Sequence, residues 1–182
     1  MRVRGVLADN GVVGRDRELE RFDQLQSRLR SGRGGAIAHP GDPGIGKTRL
    51  LAAYRARTEA AGLPLLSCAG PDGAMPDPAQ IAATARGAAE GVVVCLDDLH
   101  RLPAGASTVV EELLRLAATD PVLLSLAYRP RQLGPALAAL LSRADAAGAL
   151  WRAPLAPLTP ADAAAVAGDH PDRDRIVAVK YR

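Results

Sequence analysis

Cysteine and aromatic residues are scarce in this chain of 182 residues. The two cysteines, Cys68 and Cys95, lie within apolar runs, which indicates buried thiols in a reducing compartment and excludes a disulfide framework. Aromatic residues make up 3% of the chain, whereas alanine, arginine, glycine and proline are abundant. Biased codon usage is the simplest cause of this composition, so the scarcity of aromatic residues carries no information about function.

Long apolar runs and clusters of basic residues are missing as well. Residues 1–16 lack the continuous apolar stretch of roughly 7–15 residues found in secretion signals, and no apolar run approaches the length of a membrane span. The net charge is only +3, and the arginines are scattered among acidic residues instead of forming a basic face for nucleic acid. We therefore expect a cytoplasmic protein that binds neither membranes nor nucleic acids directly.

Short runs of almost continuously apolar residues alternate with helical stretches along the chain. Such runs are typical of strands covered on both faces, so the alternation predicts an α/β fold with a parallel sheet between helices. A further helix, from Asp16 to Gly32, places its apolar residues on one face. The predicted strands are 35–39, 63–68, 91–98, 121–129 and 149–154, and the helices between them are 47–61, 78–90, 105–118 and 132–147. Residues 69–79 are predicted to form a Pro/Gly loop, and the tail from Gly168 fits neither sheet nor helix.

Lysine occurs only twice among the 23 basic residues, and Lys47 lies in the most glycine-rich turn of the sequence. Residues 41–48, GDPGIGKT, match the phosphate-loop pattern G-x-x-x-x-G-K-[ST] between a predicted strand and a predicted helix. In such a loop, backbone N–H groups and the helix N-terminus hold phosphates, the lysine reaches the β- and γ-phosphates, and the hydroxyl of Thr48 binds Mg²⁺. A broad guanidinium fits this cradle poorly, which explains a lysine in an arginine-rich chain. The alternative is a helix-opening turn that binds nothing.

Charged residues follow two of the predicted strands. Asp97 and Asp98 end the run VVVCLDD, where an acid of a phosphate-loop enzyme holds Mg²⁺ through water and a second acid orients the attacking water. Alternatively, Asp98 caps the following turn. Arg129 ends the next strand and could approach the γ-phosphate, or it could form a structural ion pair. We interpret His39 and His100 as local structural residues.

Five segments, in this order, resemble the STAND branch of AAA-like P-loop ATPases, and most closely the N-terminal ATPase module of bacterial LuxR-type (MalT-like) transcriptional regulators. They are VVGRDREL (12–19), GDPGIGKTRLL (41–51), VVVCLDDLH (92–100), PVLLSLAYRP (121–130) and APLTPADAAAV (156–166). The resemblance implies a three-layer α/β/α sandwich whose five parallel strands have the order 5-1-4-3-2. It also implies ATP or ADP and Mg²⁺ as ligands.

The resemblance also assigns roles to individual residues. Val13, Gly14 and Arg15 would lie near the adenine and close the pocket. Lys47, Asp97, Asp98 and Arg129 would serve catalysis, and Thr48 and Asp97 would hold the metal. The nucleotide contacts in the phosphate loop would be Gly41, Asp42, Pro43, Gly44, Ile45, Gly46, Lys47, Thr48 and Arg49.

The sequence departs from the family pattern at several points. The segment between the second strand and the two aspartates is short, and DDLHRLP stands where the family commonly has DDLHWAD. The expected helical lid does not follow Val166. We therefore expect an N-terminal motif and helix in residues 1–32, a P-loop ATPase core in 33–158, and the start of a truncated lid with an irregular tail in 159–182.

These features favour an ATP- and Mg²⁺-binding module of a signalling or transcriptional regulator, with slow or partner-dependent ATP hydrolysis. A protein partner would then supply the lid or the output domain. The alternative is a non-catalytic remnant that at most binds nucleotide. A small-molecule kinase fits less well because no lid rich in phosphate-binding arginines is found. A GTPase is disfavoured because the guanine-binding motif N-K-x-D is missing, and a DNA-binding regulator because no helix-turn-helix follows the core.

Overall fold

The computed structural model describes residues 12–69, 75–103 and 105–167. Much of the Pro/Gly loop predicted for 69–79 and the whole tail from Gly168 lie outside the described residues, as do residues 1–11 of the N-terminal part. The helices are α1 (Asp16–Arg30), α2 (Lys47–Ala60), α3 (Pro78–Gly87), α4 (Ala106–Thr119), α5 (Pro135–Ala146) and α6 (Pro160–Ala167). The strands are β1 (Gly35–Pro40), β2 (Leu65–Ala69), β3 (Val92–Asp97), β4 (Val122–Tyr128) and β5 (Trp151–Arg152).

The five strands form one parallel sheet with the order β2-β3-β4-β1-β5. This is the predicted order 5-1-4-3-2 read from the opposite edge, so the predicted fold class is confirmed. Strand β4 lies between β1 and β3, and all of its residues are buried, as are those of β3. Continuous apolar runs suit these central strands because helices cover both of their faces.

The sheet separates two hydrophobic clusters. One face packs against α3, α4 and α5, with Leu113 and Leu140 as central contacts, and the other packs against α1 and α2, with Phe22 and Leu50 in the contact. The predicted apolar face of α1 is the one that is buried, namely Leu19, Phe22, Leu25 and Leu29. The result is the three-layer α/β/α sandwich expected from the sequence.

The strand register brings the functional segments to one edge of the sheet. Pro40 pairs with Tyr128, and Leu96 pairs with Leu126. The phosphate loop after β1, the aspartates ending and following β3, and Arg129 after β4 therefore start at nearly the same level. Because the strands are parallel, these segments all leave the carboxyl edge, where open α/β sheets bind their ligands.

Several boundaries differ from the sequence-based expectations. The helix predicted from residue 132 begins at Pro135, because Pro130–Gln132 form a separate 3₁₀ turn before it. Proline suits a first helical turn because its missing N–H would have no partner there. Strand β5 has two residues instead of six, and α3 ends at Gly87 instead of residue 90.

Both cysteines are buried and free, as the sequence indicated. Cys95 lies inside β3, and its burial raises the pKa of the thiol to about 12. Within the described ranges, no helix has the length and apolar character needed to cross a membrane.

Candidate nucleotide-binding site

The phosphate loop connects β1 to α2 through two glycines with left-handed backbone. Gly44 has a φ of 74° and Gly46 a φ of 103°, a region that side chains other than glycine rarely adopt. A Cβ atom added to either glycine would have no other atom within 4 Å, so the space beside the loop is open. Gly46 directly precedes the first turn of α2, where N–H groups lack partners within the helix. This arrangement leaves room for an anion beside a helix N-terminus.

Lys47 points back into the loop. Its side chain is only 6% exposed, and Nζ donates hydrogen bonds to the carbonyl oxygens of Gly41 at 2.8 Å and Asp42 at 2.9 Å. Burial and the charge of Arg129 lower the pKa of Lys47, while Asp97, Asp98 and Asp42 raise it. Lys47, Arg129 and the two aspartates are thus electrostatic neighbours, although they come from three different strand ends.

The two aspartates after the apolar run differ in conformation and environment. Asp97 is buried at the end of β3, and its Oδ1 accepts a hydrogen bond from the backbone N–H of Asp98 at 2.8 Å. Asp98 has a φ of 52° and is the only described residue other than glycine in the left-handed region. Such a conformation costs free energy and is common at functional sites.

The alternative that the Asp98 side chain caps the following turn is not observed in the described structure. Asp98 precedes the 3₁₀ turn Leu99–Arg101, but its carboxylate accepts no capping hydrogen bond from that turn. The carboxylate instead faces two cationic or titratable groups, His100 Nε2 and Arg101 Nη1, each at 3.9 Å. The side chain is about one-quarter exposed, so it remains accessible from the loop side.

Arg129 follows β4 and is half-buried. Its Nη1 donates to Gln132 Oε1 at 3.4 Å, and its buried Nε has no hydrogen-bond partner among the described residues. None of the described acidic residues forms an ion pair with it, so the structural ion pair considered from the sequence is not found in this part of the chain. Its guanidinium is available to a ligand at the carboxyl edge.

His100 lies beside these residues, although we interpreted it from the sequence as merely structural. Its side chain is 3% exposed, its Nε2 faces Asp98, and its buried Nδ1 has no partner among the described residues. Burial lowers its pKa, Asp98 raises it, and Arg129, Lys47 and Arg101 lower it further. The only sequence signal was its position two residues after Asp98.

A small cavity of about 200 Å³ adjoins the phosphate loop on the side of α1. Two of the residues predicted near the adenine, Val13 and Arg15, line it, together with Arg49 of the phosphate-loop set. The other lining residues are Val12, Gly44, Ile45, Gly46, Leu158 and Val166. Val12, Leu158 and Val166 were not singled out from the sequence, because three separated segments bring them together.

Arg15 and Gly14 have different surroundings. Arg15 is buried, and its Nη2 donates to the carbonyl oxygens of Ile45 at 3.0 Å and Ala156 at 2.9 Å. It therefore joins the phosphate loop to the segment after β5. Gly14 lies outside the small cavity and packs against α6, where a Cβ atom would come within 2.7 Å of the Asp162 carboxylate.

The remaining residues of the predicted phosphate-loop set differ in exposure. Thr48 and Arg49 are exposed in the first turn of α2, and Asp42, Pro43 and Gly44 are exposed in the loop. Gly41 and Ile45 are half-buried. A hydroxyl and a carboxylate, from Thr48 and Asp97, are hard oxygen donors of the kind that Mg²⁺ uses together with water and phosphate. The residues present therefore fit a nucleotide with its metal ion.

Comparison with solved structures gives the same architecture. The P216G mutant of RuvB from Thermotoga maritima has a TM-score of 0.54 at 17% identity, over 85% of this chain and 50% of that one. The RuvB Holliday junction branch migration motor of the same organism has a TM-score of 0.53 at 15% identity, over 92% and 52%. The chain has a P-loop NTPase fold, a three-layer α/β/α sandwich with a five-stranded parallel sheet.

At these identities the likeness to RuvB shows the fold alone. The chain spans about half the length of the structures that it matches. No protein-family model matches the sequence, and no curated protein is significantly similar to it.

Proposed function

We propose that the chain is an ATP- and Mg²⁺-binding module of a STAND-type signalling or transcriptional regulator, with slow or partner-dependent ATP hydrolysis. The proposal rests on the meeting of Lys47, Asp97, Asp98 and Arg129 beside an open phosphate loop at one edge of the sheet. The order of the five sequence segments supports the regulator assignment, which goes beyond the fold.

Each residue of this edge has a role in the proposed site. Lys47 neutralises the β- and γ-phosphates, and Thr48 and Asp97 hold Mg²⁺, which would offset the negative charge of the phosphates. Asp98 orients the attacking water, and Arg129 contacts the γ-phosphate. Arg129 is suited to this contact because it is half-buried, lacks an acidic partner among the described residues and lies close to Lys47.

The adenine occupies the small cavity between the phosphate loop and α6 in this proposal. Val12, Val13 and Leu158 supply apolar contacts to the base. The γ-phosphate and the base then touch different parts of the chain, so ATP and ADP differ in their contacts at the carboxyl edge. A difference of this kind lets partner domains, or a partner protein supplying a lid or output domain, read the nucleotide state.

One observation favours nucleotide binding with little or no turnover as a second candidate. The carboxylate of Asp98 faces both His100 and Arg101 at 3.9 Å. Both groups compete with an attacking water for the oxygens of this carboxylate, which favours binding without turnover. The two candidate functions are therefore slow ATP hydrolysis and nucleotide binding without hydrolysis.

Thermal unfolding with ATP·Mg²⁺, ADP·Mg²⁺ and GTP·Mg²⁺ tests nucleotide binding. We expect ATP at a hundredfold excess over its Kd to stabilise the protein by about 2.7 kcal/mol. Lys47→Ala should abolish this stabilisation, because the phosphates lose their buried cation. Arg28→Ala, which removes an exposed cation at the end of α1, is the matched control and should respond like the wild type. Absence of stabilisation by every nucleotide would refute the proposed function.

Release of inorganic phosphate separates the two candidates. For a hydrolase we expect Asp98→Asn to lower the rate of phosphate release by about a hundredfold or more, while the thermal stabilisation by ATP persists. Arg101→Gln, which removes an exposed neighbour of Asp98 and leaves its carboxylate in place, should retain or raise phosphate release. Wild-type protein that is stabilised by ATP but releases no phosphate would favour the binding-only candidate.

A further inference from the structure

A second cavity lies next to the proposed nucleotide site but outside it. It has a volume of about 370 Å³ and lies between the segments that follow β3 and β4. Leu99, Leu102, Pro103 and Leu137 give it apolar walls. It is open to solvent on one side, where Gln132 and Gly134 are exposed. Its size and lining are those of a site for a small molecule.

The N-termini of two long helices face this cavity. Gly105 and Ser107 at the start of α4, and Gly134 and Ala136 at the start of α5, are among its lining residues. Among the described residues, no side chain caps either helix, and neither first turn contains an acidic residue. By contrast, Asp77 caps α3 by accepting a hydrogen bond from Ala79 N at 2.9 Å. Two helix N-termini therefore place partial positive charge at one cavity, although Ala106 N and Thr108 N of α4 already donate to the carbonyl oxygens of Pro103 and Gly105.

The side chain of His100 is a second observation at this cavity. It lines the cavity, its side chain is only 3% exposed, and its Nδ1 has no hydrogen-bond partner among the described residues. Buried polar atoms nearly always have a partner, so an unpaired one calls for a ligand or water. Its other ring nitrogen faces Asp98, so the imidazole stands between the cavity and the proposed nucleotide site.

We propose that this cavity binds a small organic carboxylate with a compact apolar body. The carboxylate lies at the N-termini of α4 and α5, within reach of the His100 ring, and the body packs on the leucines. No lysine or arginine is among the described lining residues, so one negative charge suits the cavity better than the two of a phosphate. The binding requires no nucleotide, so it stands or falls independently of the proposed ATPase activity.

Binding of 3-methylbutanoate and benzoate to the full chain, followed by NMR of the histidine rings, tests this proposal. The chain contains three histidines, so the His100 signal is assigned by its loss in His100→Gln. We expect both carboxylates to shift the His100 signal. The uncharged 3-methylbutanamide should bind about tenfold more weakly, because the helix N-termini favour an anion. Inorganic phosphate should leave the signal unmoved.

A pair of variants at Gly134 tests the place of the carboxylate. Gly134 has a φ of –61° and a ψ of 149°, and a Cβ atom there would meet no other atom within 4 Å, so aspartate and asparagine both fit as caps of α5. Gly134→Asp supplies its own carboxylate at the proposed position and should weaken 3-methylbutanoate binding about tenfold relative to Gly134→Asn. Both caps should preserve or raise thermal stability, so misfolding does not mimic the effect.

Four results would overturn the proposal. They are an unmoved His100 signal with both carboxylates, equal affinity for the amide, equal affinity in the two Gly134 variants, and a phosphate response in place of the carboxylate response.

Discussion

The surroundings of His39 and His100 show two different uses of a buried histidine. His39 lies in β1 and is fully buried, with Nδ1 3.2 Å from the carbonyl oxygen of Ala153 and Nε2 2.9 Å from the hydroxyl of Tyr54. A carbonyl only accepts, so Nδ1 carries the proton of the neutral ring and Nε2 is an acceptor. The single proton of the Tyr54 hydroxyl lies between Nε2 and the carbonyl oxygen of Glu18, which is 3.1 Å from that hydroxyl. The side chain of His100 is 3% exposed, but one of its ring nitrogens has no partner among the described residues.

Hydrogen-bond satisfaction distinguishes these two histidines more clearly than the exposure of their side chains does. The His39 ring joins β1 to Tyr54 of α2 and to the segment after β5, and a partner of appropriate type meets each ring nitrogen. The His100 ring is removed from water, but its Nδ1 gains no hydrogen bond among the described residues in return. The ring lies between the Asp98 carboxylate and the second cavity. Three changes sharpen this comparison.

The largest expected effect is the pH dependence of stability due to His39. Burial lowers the pKa of His39 from 6.5 to about 4. Between these values the unfolded chain binds a proton that the folded protein does not, so acid favours unfolding. The free energy of unfolding should be constant above pH 6.5 on this account and should fall by about 3 kcal/mol as the pH approaches 4. Urea unfolding at a series of pH values measures this slope.

His39→Leu and His100→Leu are the controls for this slope. Burial also lowers the pKa of His100, which contributes in the same direction, so only the part lost in His39→Leu belongs to His39. A slope that is unchanged in His39→Leu would show that other groups cause it.

The same two variants should differ in stability at pH 7.5. His39→Leu should cost about 2 kcal/mol, because the carbonyl of the half-buried Ala153 loses its donor and the Tyr54 hydroxyl loses a partner. His100→Leu should change stability by less than about 1 kcal/mol, because it breaks no hydrogen bond and removes an unpaired buried nitrogen. Equal losses in the two variants, measured by urea unfolding, would remove the distinction between the two sites.

The smallest effect is expected from Tyr54→Phe. The phenylalanine ring would keep the stacking on Phe22, whose ring centre lies 3.9 Å away, and only the hydroxyl would be lost. Loss of the hydroxyl, which lies against both His39 Nε2 and the carbonyl oxygen of Glu18, should lower stability by about 1 kcal/mol. Phe22→Leu serves for comparison, since it removes the stacking and leaves the hydrogen bond. A Tyr54→Phe variant as stable as the wild type would show that water replaces the hydroxyl.

The fold could be predicted from the sequence because its signals are local. Continuously apolar runs such as VVVCLD predict a strand that is buried on both faces. The glycine pattern before Lys47 predicts a strand, a loop and a helix in this order. The end of β5 and the start of α5 were predicted less well. At the sheet edge only Trp151 and Arg152 pair with β1, so β5 is short. Pro130 and Pro135 are both suited to the first turn of a helix, and the sequence does not show that Pro130 begins a separate 3₁₀ turn.

The candidate site was predictable only where one segment carries the whole signal. Lys47 and Asp97 follow from their own motifs. The left-handed backbone of Asp98, the carbonyl contacts of Arg15 and the unpaired nitrogen of His100 depend on neighbours distant in sequence or on local backbone energy. The cavity after β3 and β4 depends on two loops whose proximity only the strand order reveals.

The guanidinium of Arg15 has a consequence for how the two ends of the fold communicate. It donates at once to the phosphate loop at Ile45 and to the segment before α6 at Ala156. A shift of either carbonyl oxygen therefore changes the hydrogen bond that Arg15 makes with the other one. The coupling is reciprocal. If a ligand in the phosphate loop changes the affinity of α6 for a partner, that partner changes the affinity of the loop for its ligand by the same factor. Through one buried arginine, the segment after β5 is energetically coupled to the phosphate loop.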